Sequence, residues 1–135
     1  MVDVERLARL LRRVTDDVGR LRDASGAPGL VADEVVLDHV KYRFVTAIEA
    51  AIDVAQHVCA AEGFQTPATN TDAMRRLLQH DVLERATGEG MARAVGFRNV
   101  LVDRYADVDD ALVVEQLTEL DVLEAFVGQV TARYL

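Results

Sequence analysis

Cysteine is almost missing from this chain. Cys59 is the only one in 135 residues, which excludes an intrachain disulfide. Proline is scarce too: Pro28 and Pro67 are the two it has, and both fall in segments that read as turns. Positive charge is in deficit, with 15 Lys and Arg against 23 Asp and Glu and a formal net charge of -8. Such a balance argues against broad, nonspecific nucleic-acid binding, so any contact with RNA has to be local. No uninterrupted apolar run approaches the roughly 20 residues that span a bilayer, and the N-terminus opens on charged, amphipathic sequence rather than a signal peptide. A soluble, cytoplasmic protein without a membrane partner is expected. Sustained strand-like alternation, internal repeats and low-complexity tracts are also lacking.

What is present is helix. Half of the residues are apolar, enough for one core in a single domain over residues 1–135. Val4, Leu7, Leu10, Leu11, Val14, Val18 and Leu21 recur at three- and four-residue steps, predicting an amphipathic helix from about Asp3 to Ala24. Ser25-Gly26-Ala27-Pro28-Gly29 stops it. A long helix follows from Asp33, a suitable N-cap, to Gly63, a suitable C-terminal stop. Its apolar face is wide, and Ala47, Ala50, Ala51 and Ala55 allow close approach of either a second copy or two helices of the same chain. Asn70 or Thr71 is placed to cap a short helix carrying Met74, Leu77 and Leu78, and the chain bends near Asp81. Gly88 and Gly90 blur the start of the next helix, which runs to about Tyr105. After Asp107-Val108-Asp109-Asp110, residues Leu112 to Val130 predict one last helix ending near Tyr134. The expected fold is an all-α, up-and-down helical bundle with one short extra helix.

One stretch carries chemistry: Gly96-Phe97-Arg98-Asn99-Val100-Leu101-Val102-Asp103-Arg104-Tyr105. Together with Glu49 to Val58 in the long helix and the Gly63-Phe64-Gln65-Thr66-Pro67 turn, it resembles the HepT-like branch of the HEPN ribonucleases, over roughly Asp33 to Leu135. The motif of that family is Arg, a polar residue, then His, any residue and Tyr. Arg98, Asn99 and Tyr105 stand in their places, and Asp103 stands where the family has histidine. The resemblance implies a homodimeric toxin that cuts RNA without a metal or cofactor, its motifs from two chains lining one cleft. It implies that Arg98 holds the phosphate, Asn99 positions, and the residue at 103 moves the proton when the ribose 2′-hydroxyl attacks. It also implies a partner, an MntA-like nucleotidyltransferase antitoxin that adds AMP to Tyr105.

Physical chemistry qualifies this. A carboxyl with an ordinary pKa near 3.9 is ionised at neutral pH and cannot donate a proton, unlike imidazole near 6.5. Asp103 also repels phosphate and is able to pair with Arg98 or Arg104. A much-weakened or inactive ribonuclease is therefore expected, whether Asp103 was introduced to silence a toxin or is natural. The alternative is a non-catalytic HEPN binding module for a nucleotidyltransferase or for nucleotides. At about 100° per residue, Arg98 and Asp103 lie about 140° apart, so one narrow pocket needs either a second copy or a break in the helix after Arg98.

Arg98, Arg104, Lys41 and Arg43, with Arg93, are the basic residues expected near RNA. Glu49 and Asp53 resemble half of a di-iron site, but the Glu-x-x-His companions are missing and no metal is expected. His57 is able to approach the cleft, though a hydrogen-bonded bundle histidine is the plainer reading, and Cys59 reads as a small buried hydrophobe.

Overall fold

The structure is a computed structural model that describes residues 1–27 and 29–135; Pro28, expected in the turn after the first helix, lies outside the described residues. Six helices follow in order: α1 Val4–Ser25, α2 Glu34–Glu62, α3 Asn70–Gln79, α4 Arg85–Arg104, α5 Asp110–Gln116 and α6 Leu120–Tyr134, with short 3₁₀ turns before α2, after α4 and between α5 and α6. The described residues contain no strand.

Local chemistry sets the ends. The Asp3 carboxylate accepts from the Arg6 amide and starts α1, and Asp33 accepts from the Val36 amide and starts α2. Gly63 closes α2 at φ 70, the left-handed conformation that glycine adopts without strain. The cap of α3 differs from expectation. Thr69, not Asn70 or Thr71, caps it, its Oγ1 accepting from the Asp72 amide at 3.0 Å while Asp72 reaches back to the Ala68 amide at 3.3 Å. This is a Thr-x-x-Asp reciprocal cap, and it fixes Asn70 as the first helical residue. The bend at Asp81 is present, with φ 59.

Gly88 and Gly90, which blurred the start of α4 in the sequence, are inside it. A Cβ on Gly88 would lie 2.8 Å from Leu78 Cβ and one on Gly90 2.8 Å from Val122 Cγ1. The glycines are there so that α3 and α6 approach α4 closely. The single last helix expected from the sequence is in fact two, because Leu117–Glu119 forms a 3₁₀ turn in which Thr118 Oγ1 donates to the Glu115 carbonyl at 2.7 Å. Such back-bonding bends helices. Here the bend keeps Val113, Leu117, Leu120 and Leu123 on the buried side.

The core is aliphatic, centred on Leu7, Leu21, Ile48, Met74, Leu77, Met91, Leu101, Leu120 and Phe126, each under 2% exposed. α2 runs through the middle, packed on α1, α3 and α4. Ala47, Ala50, Ala51 and Ala55 are buried within the chain, so helices of the same chain account for the wide apolar face. One expectation needs correcting: α2 is long and apolar enough, by length and composition, to cross a membrane. In this fold α2 is the central helix of the bundle, with more than half of its most apolar stretch buried inside it. Cys59 is buried as expected, its thiol 3.9 Å from the Ala73 carbonyl and its pKa pushed up by burial.

A charged group also lies inside. Asp17 is fully buried between α1 and α2, accepting from Arg43 Nη1 at 2.9 Å and Thr46 Oγ1 at 2.6 Å, with Arg13 Nε at 3.6 Å. Removing one member of a buried pair strands the other, typically at about 3–5 kcal/mol. Because the Arg43 side chain keeps 27% exposure, Asp17→Ala is expected at the lower end, a loss of about 3 kcal/mol in urea unfolding. Asp17→Leu combined with Arg43→Met should recover most of it.

Candidate functional site

The motif occupies the last two turns of α4 and the 3₁₀ turn Tyr105–Asp107 that follows. α4 runs antiparallel beside α2, so residues late in α4 meet residues early in α2. Arg98 donates from Nη2 to Glu49 Oε1 at 2.9 Å and from Nη1 to Asn99 Oδ1 at 3.0 Å. Its Nε is buried without a hydrogen-bond partner. The guanidinium is thus fixed in a plane, with two of its five N–H donors committed. Glu49 is 46% exposed against 22% for Arg98, so the pair sits at the mouth of a hollow and is open to an incoming anion.

That hollow, of about 430 Å³, is lined by Glu49, Ile52, Asp53, Gln56, Asn70 and Arg98. Glu49, Ile52, Asp53 and Gln56 share one face of α2 by their three- and four-residue spacing. Asn70 enters from the capped start of α3, where its Oδ1 accepts from Gln56 Nε2 at 3.2 Å.

Tyr105 forms a second group about two helical turns away. Its hydroxyl donates to the Asp38 carbonyl at 3.2 Å, and its own carbonyl accepts from Lys41 Nζ at 3.2 Å. The ammonium also lies 5.2 Å from the centre of the Tyr105 ring and 3.7 Å from Asp110 Oδ1. The ring is 41% exposed and faces a hollow of about 480 Å³ bounded by Glu34, Asp38, Lys41 and Asp110. Burial first, and then the Asp38 carboxylate, raise the hydroxyl above its ordinary pKa.

Asp103 stands apart. It is exposed, and it takes part in none of the ion pairs or side-chain hydrogen bonds found among the described residues, so neither Arg98 nor Arg104 pairs with it and Arg98 pairs with Glu49 instead. α4 is continuous from Arg85 to Arg104, so the break after Arg98 that would have turned both residues into one pocket is absent. Within one chain they point from different sides of the same helix.

The other basic residues separate in the same way. Lys41 is 6% exposed and committed to Tyr105 and Asp110, an enclosed position rather than a surface one. Arg43 faces α1 and the buried Asp17. Arg104 and Arg93 are exposed, Arg93 at the edge of a hollow of about 200 Å³ beside Phe44 and Phe97. His57 is away from the motif, its Nε2 accepting from the Asp3 amide at 2.9 Å. Sequence reasoning missed Glu49 as the partner of Arg98, having weighed it only as a metal ligand.

A helical bundle here carries Arg98-Asn99 late in its fourth helix and Tyr105 just beyond it. The chain belongs to the HepT-like ribonuclease family: the family model described as Ribonuclease HepT-like matches residues 6–130. It is 25% identical over 101 residues, 74% of this chain and 76% of the relative, to the mRNA nuclease HepT of Shewanella oneidensis. It is 31% identical over 93 residues, 69% of this chain and 70% of the relative, to a protein of Archaeoglobus fulgidus. Its fold superposes with a TM-score of 0.87 on a Shewanella oneidensis HEPN toxin, described as tri-AMPylated and in complex with an MNT antitoxin, at 22% identity and covering 98% of this chain and 99% of that one.

Proposed function

We propose that this protein is a HepT-type toxin of a toxin–antitoxin pair, an RNA-cutting homodimer whose present form is weak or inactive because Asp103 holds the place of the proton-transfer group. The observation that carries the reading is Arg98. It is a partly buried guanidinium in the motif position, held in plane by Glu49 and Asn99 at the rim of a hollow, with a second N–H on each Nη still to give. A planar donor of this kind suits a phosphate, which takes two parallel N–H bonds. The reaction it serves is attack of a ribose 2′-hydroxyl on the adjacent phosphorus, in which the 2′ O–P bond forms, the 5′ O–P bond breaks, and a proton passes from the attacking to the leaving oxygen. Arg98 offsets the charge gathering on the phosphoryl oxygens.

The unbroken α4 supports the dimer. Since Arg98 and Asp103 diverge by about 140° on one helix, a shared cleft calls for residue 103 of one copy to meet Arg98 of another. Val35, Tyr42, Val102 and Tyr105 are exposed apolar side chains on α2 and the end of α4, a face suited to a second copy. In this reading a nucleotidyltransferase resembling MntA silences the toxin by placing AMP on Tyr105. Lys41 serves to hold the Tyr105 turn, and Arg104 and Arg93 are the exposed basic residues offered to RNA.

Asp103 favours one second reading, a non-catalytic HEPN module that partners a nucleotidyltransferase or binds nucleotides. The toxin reading and the nucleotide-binding form of the second both need Arg98 to hold phosphate. Fluorescence anisotropy with a short single-stranded RNA is expected to show Arg98→Ala binding at least about tenfold more weakly, given about 1.5–3 kcal/mol for a hydrogen bond to a charged group. Equal affinity of the two proteins removes the phosphate role and with it the toxin reading and the nucleotide-binding one.

A further inference from the structure

We propose that the hollow beside Arg98, walled by Asp53, Gln56 and Asn70 and floored by Ile52, is a base-binding subsite that selects guanine next to the phosphate held by Arg98. The inference rests on the RNA-binding reading above and adds the identity of the neighbouring base.

Size permits a base, since about 430 Å³ lies in the range of about 300–1,000 Å³ usual for small-ligand sites. Position favours one, because Arg98 forms one wall and a base joined to a phosphate on that guanidinium has to lie within a few ångströms of it. Donor and acceptor chemistry then chooses among the four. Asp53 is exposed and takes part in none of the ion pairs or side-chain hydrogen bonds among the described residues. An ionised carboxylate only accepts, through two oxygens side by side. Guanine alone carries two adjacent donors, N1–H and N2–H, on its Watson–Crick edge, so it alone meets a carboxylate with two parallel bonds. Adenine and cytosine place a ring-nitrogen lone pair beside their amino group, facing the second oxygen repulsively, and uracil flanks its one N–H with two carbonyls.

The amides agree with this choice. The Gln56 Nε2 to Asn70 Oδ1 bond of 3.2 Å leaves the Asn70 amino group free to donate to guanine O6, the acceptor next to N1–H. The Thr69–Asp72 cap holds Asn70 at the start of α3, which limits the ordering cost on binding. Ile52 offers an apolar surface to the face of the ring. Guanine is uncharged, so the acidity that would repel a phosphate at Asp53 does not oppose it, while Arg98 takes the phosphate a short distance away.

The test is calorimetric titration of the full-length protein with 3′-GMP, 3′-AMP, 3′-CMP and 3′-UMP, repeated on Asp53→Asn and Arg98→Ala. 3′-GMP is expected to bind about tenfold or more tightly than the other three, within the discrimination of a good bidentate base contact. Asp53→Asn should erase that preference, bringing 3′-GMP to the affinity of the other three, and Arg98→Ala should weaken all four alike. Equal affinity for the four nucleotides, binding of none of them, or a guanine preference that survives Asp53→Asn overturns the proposal. If the preference fails while RNA binding still depends on Arg98, the subsite falls and the functional reading stands. If RNA binding does not depend on Arg98, the functional reading itself fails.

Discussion

Asp103→His is expected to raise RNA cleavage by about 10²- to 10⁴-fold, the usual contribution of a positioned general acid or base. A carboxylate has no proton to give, whereas imidazole exists in both forms near pH 6.5. The surroundings favour the exchange. Asp103 is exposed and engaged in no ion pair among the described residues, so the substitution breaks no contact and is expected to change stability by no more than about 0.5 kcal/mol. Arg98 stays where Glu49 and Asn99 hold it, ready to bind phosphate on the histidine variant. The rate should follow a bell with its maximum near neutral pH, because one imidazole form accepts the proton and the other returns it. Induced expression should also arrest growth of a bacterial host. A variant that neither cuts RNA nor arrests growth shows that residue 103 was not the missing element, and leaves the non-catalytic module as the surviving reading.

How much of this was legible in the sequence depended on whether the deciding interaction was local. Helix ends were, because Asp33 and Gly63 act within one turn of themselves. The burial of the α2 face was too, since apolar spacing alone reports it. What escaped was set by groups distant along the chain. Gly88 and Gly90 look like helix breakers until Leu78 and Val122 are found against them. Glu49 and Arg98 are 49 residues apart, and nothing in either segment announces that α2 and α4 bring them to 2.9 Å. Asp17 did leave a trace: a carboxylate between Val14, Val18 and Leu21 on the buried stripe of α1 calls for a cationic partner, and Arg43 supplies it. The bend at Leu117–Glu119 left less, because a threonine in a helical pattern reveals its back-bond only once the bundle curves around its core. At the site itself, helical angles correctly separated Arg98 from Asp103. They did not show that Lys41, taken for a surface cation, is folded under Tyr105.

That last arrangement makes Tyr105 the position where loss of a single oxygen has the largest consequence. On the toxin reading proposed above, Tyr105→Phe is expected to abolish AMP transfer by a nucleotidyltransferase partner. The transfer forms a bond from the tyrosine oxygen to the α-phosphorus of ATP, breaks the bond to the β-phosphate and releases pyrophosphate, so it needs a hydroxyl both reachable and correctly directed. The ring edge is open and the oxygen lies 3.2 Å from the Asp38 carbonyl at the rim of a hollow. Because burial and Asp38 push its pKa upward, the group is neutral at physiological pH, and its proton must leave to a base that the transferase brings. Phenylalanine deletes the nucleophile and little else. Lys41 donates to the backbone carbonyl of residue 105 and lies against the ring, and both contacts survive, so the stability cost is that of one hydrogen bond, about 0.5–1.5 kcal/mol. Intact-mass measurement after incubation with transferase, magnesium and ATP should find AMP on the parent protein and none on the variant. AMP still present on Tyr105→Phe would move the acceptor elsewhere, with Tyr42, 53% exposed on α2, the next side chain to change. Each AMP brings a negative charge and a nucleoside to a surface that already carries Glu34, Asp38 and Asp110. A second polyanion is turned away there by repulsion as well as by bulk. A modified protein should therefore bind RNA more weakly than an unmodified one even with Arg98 intact.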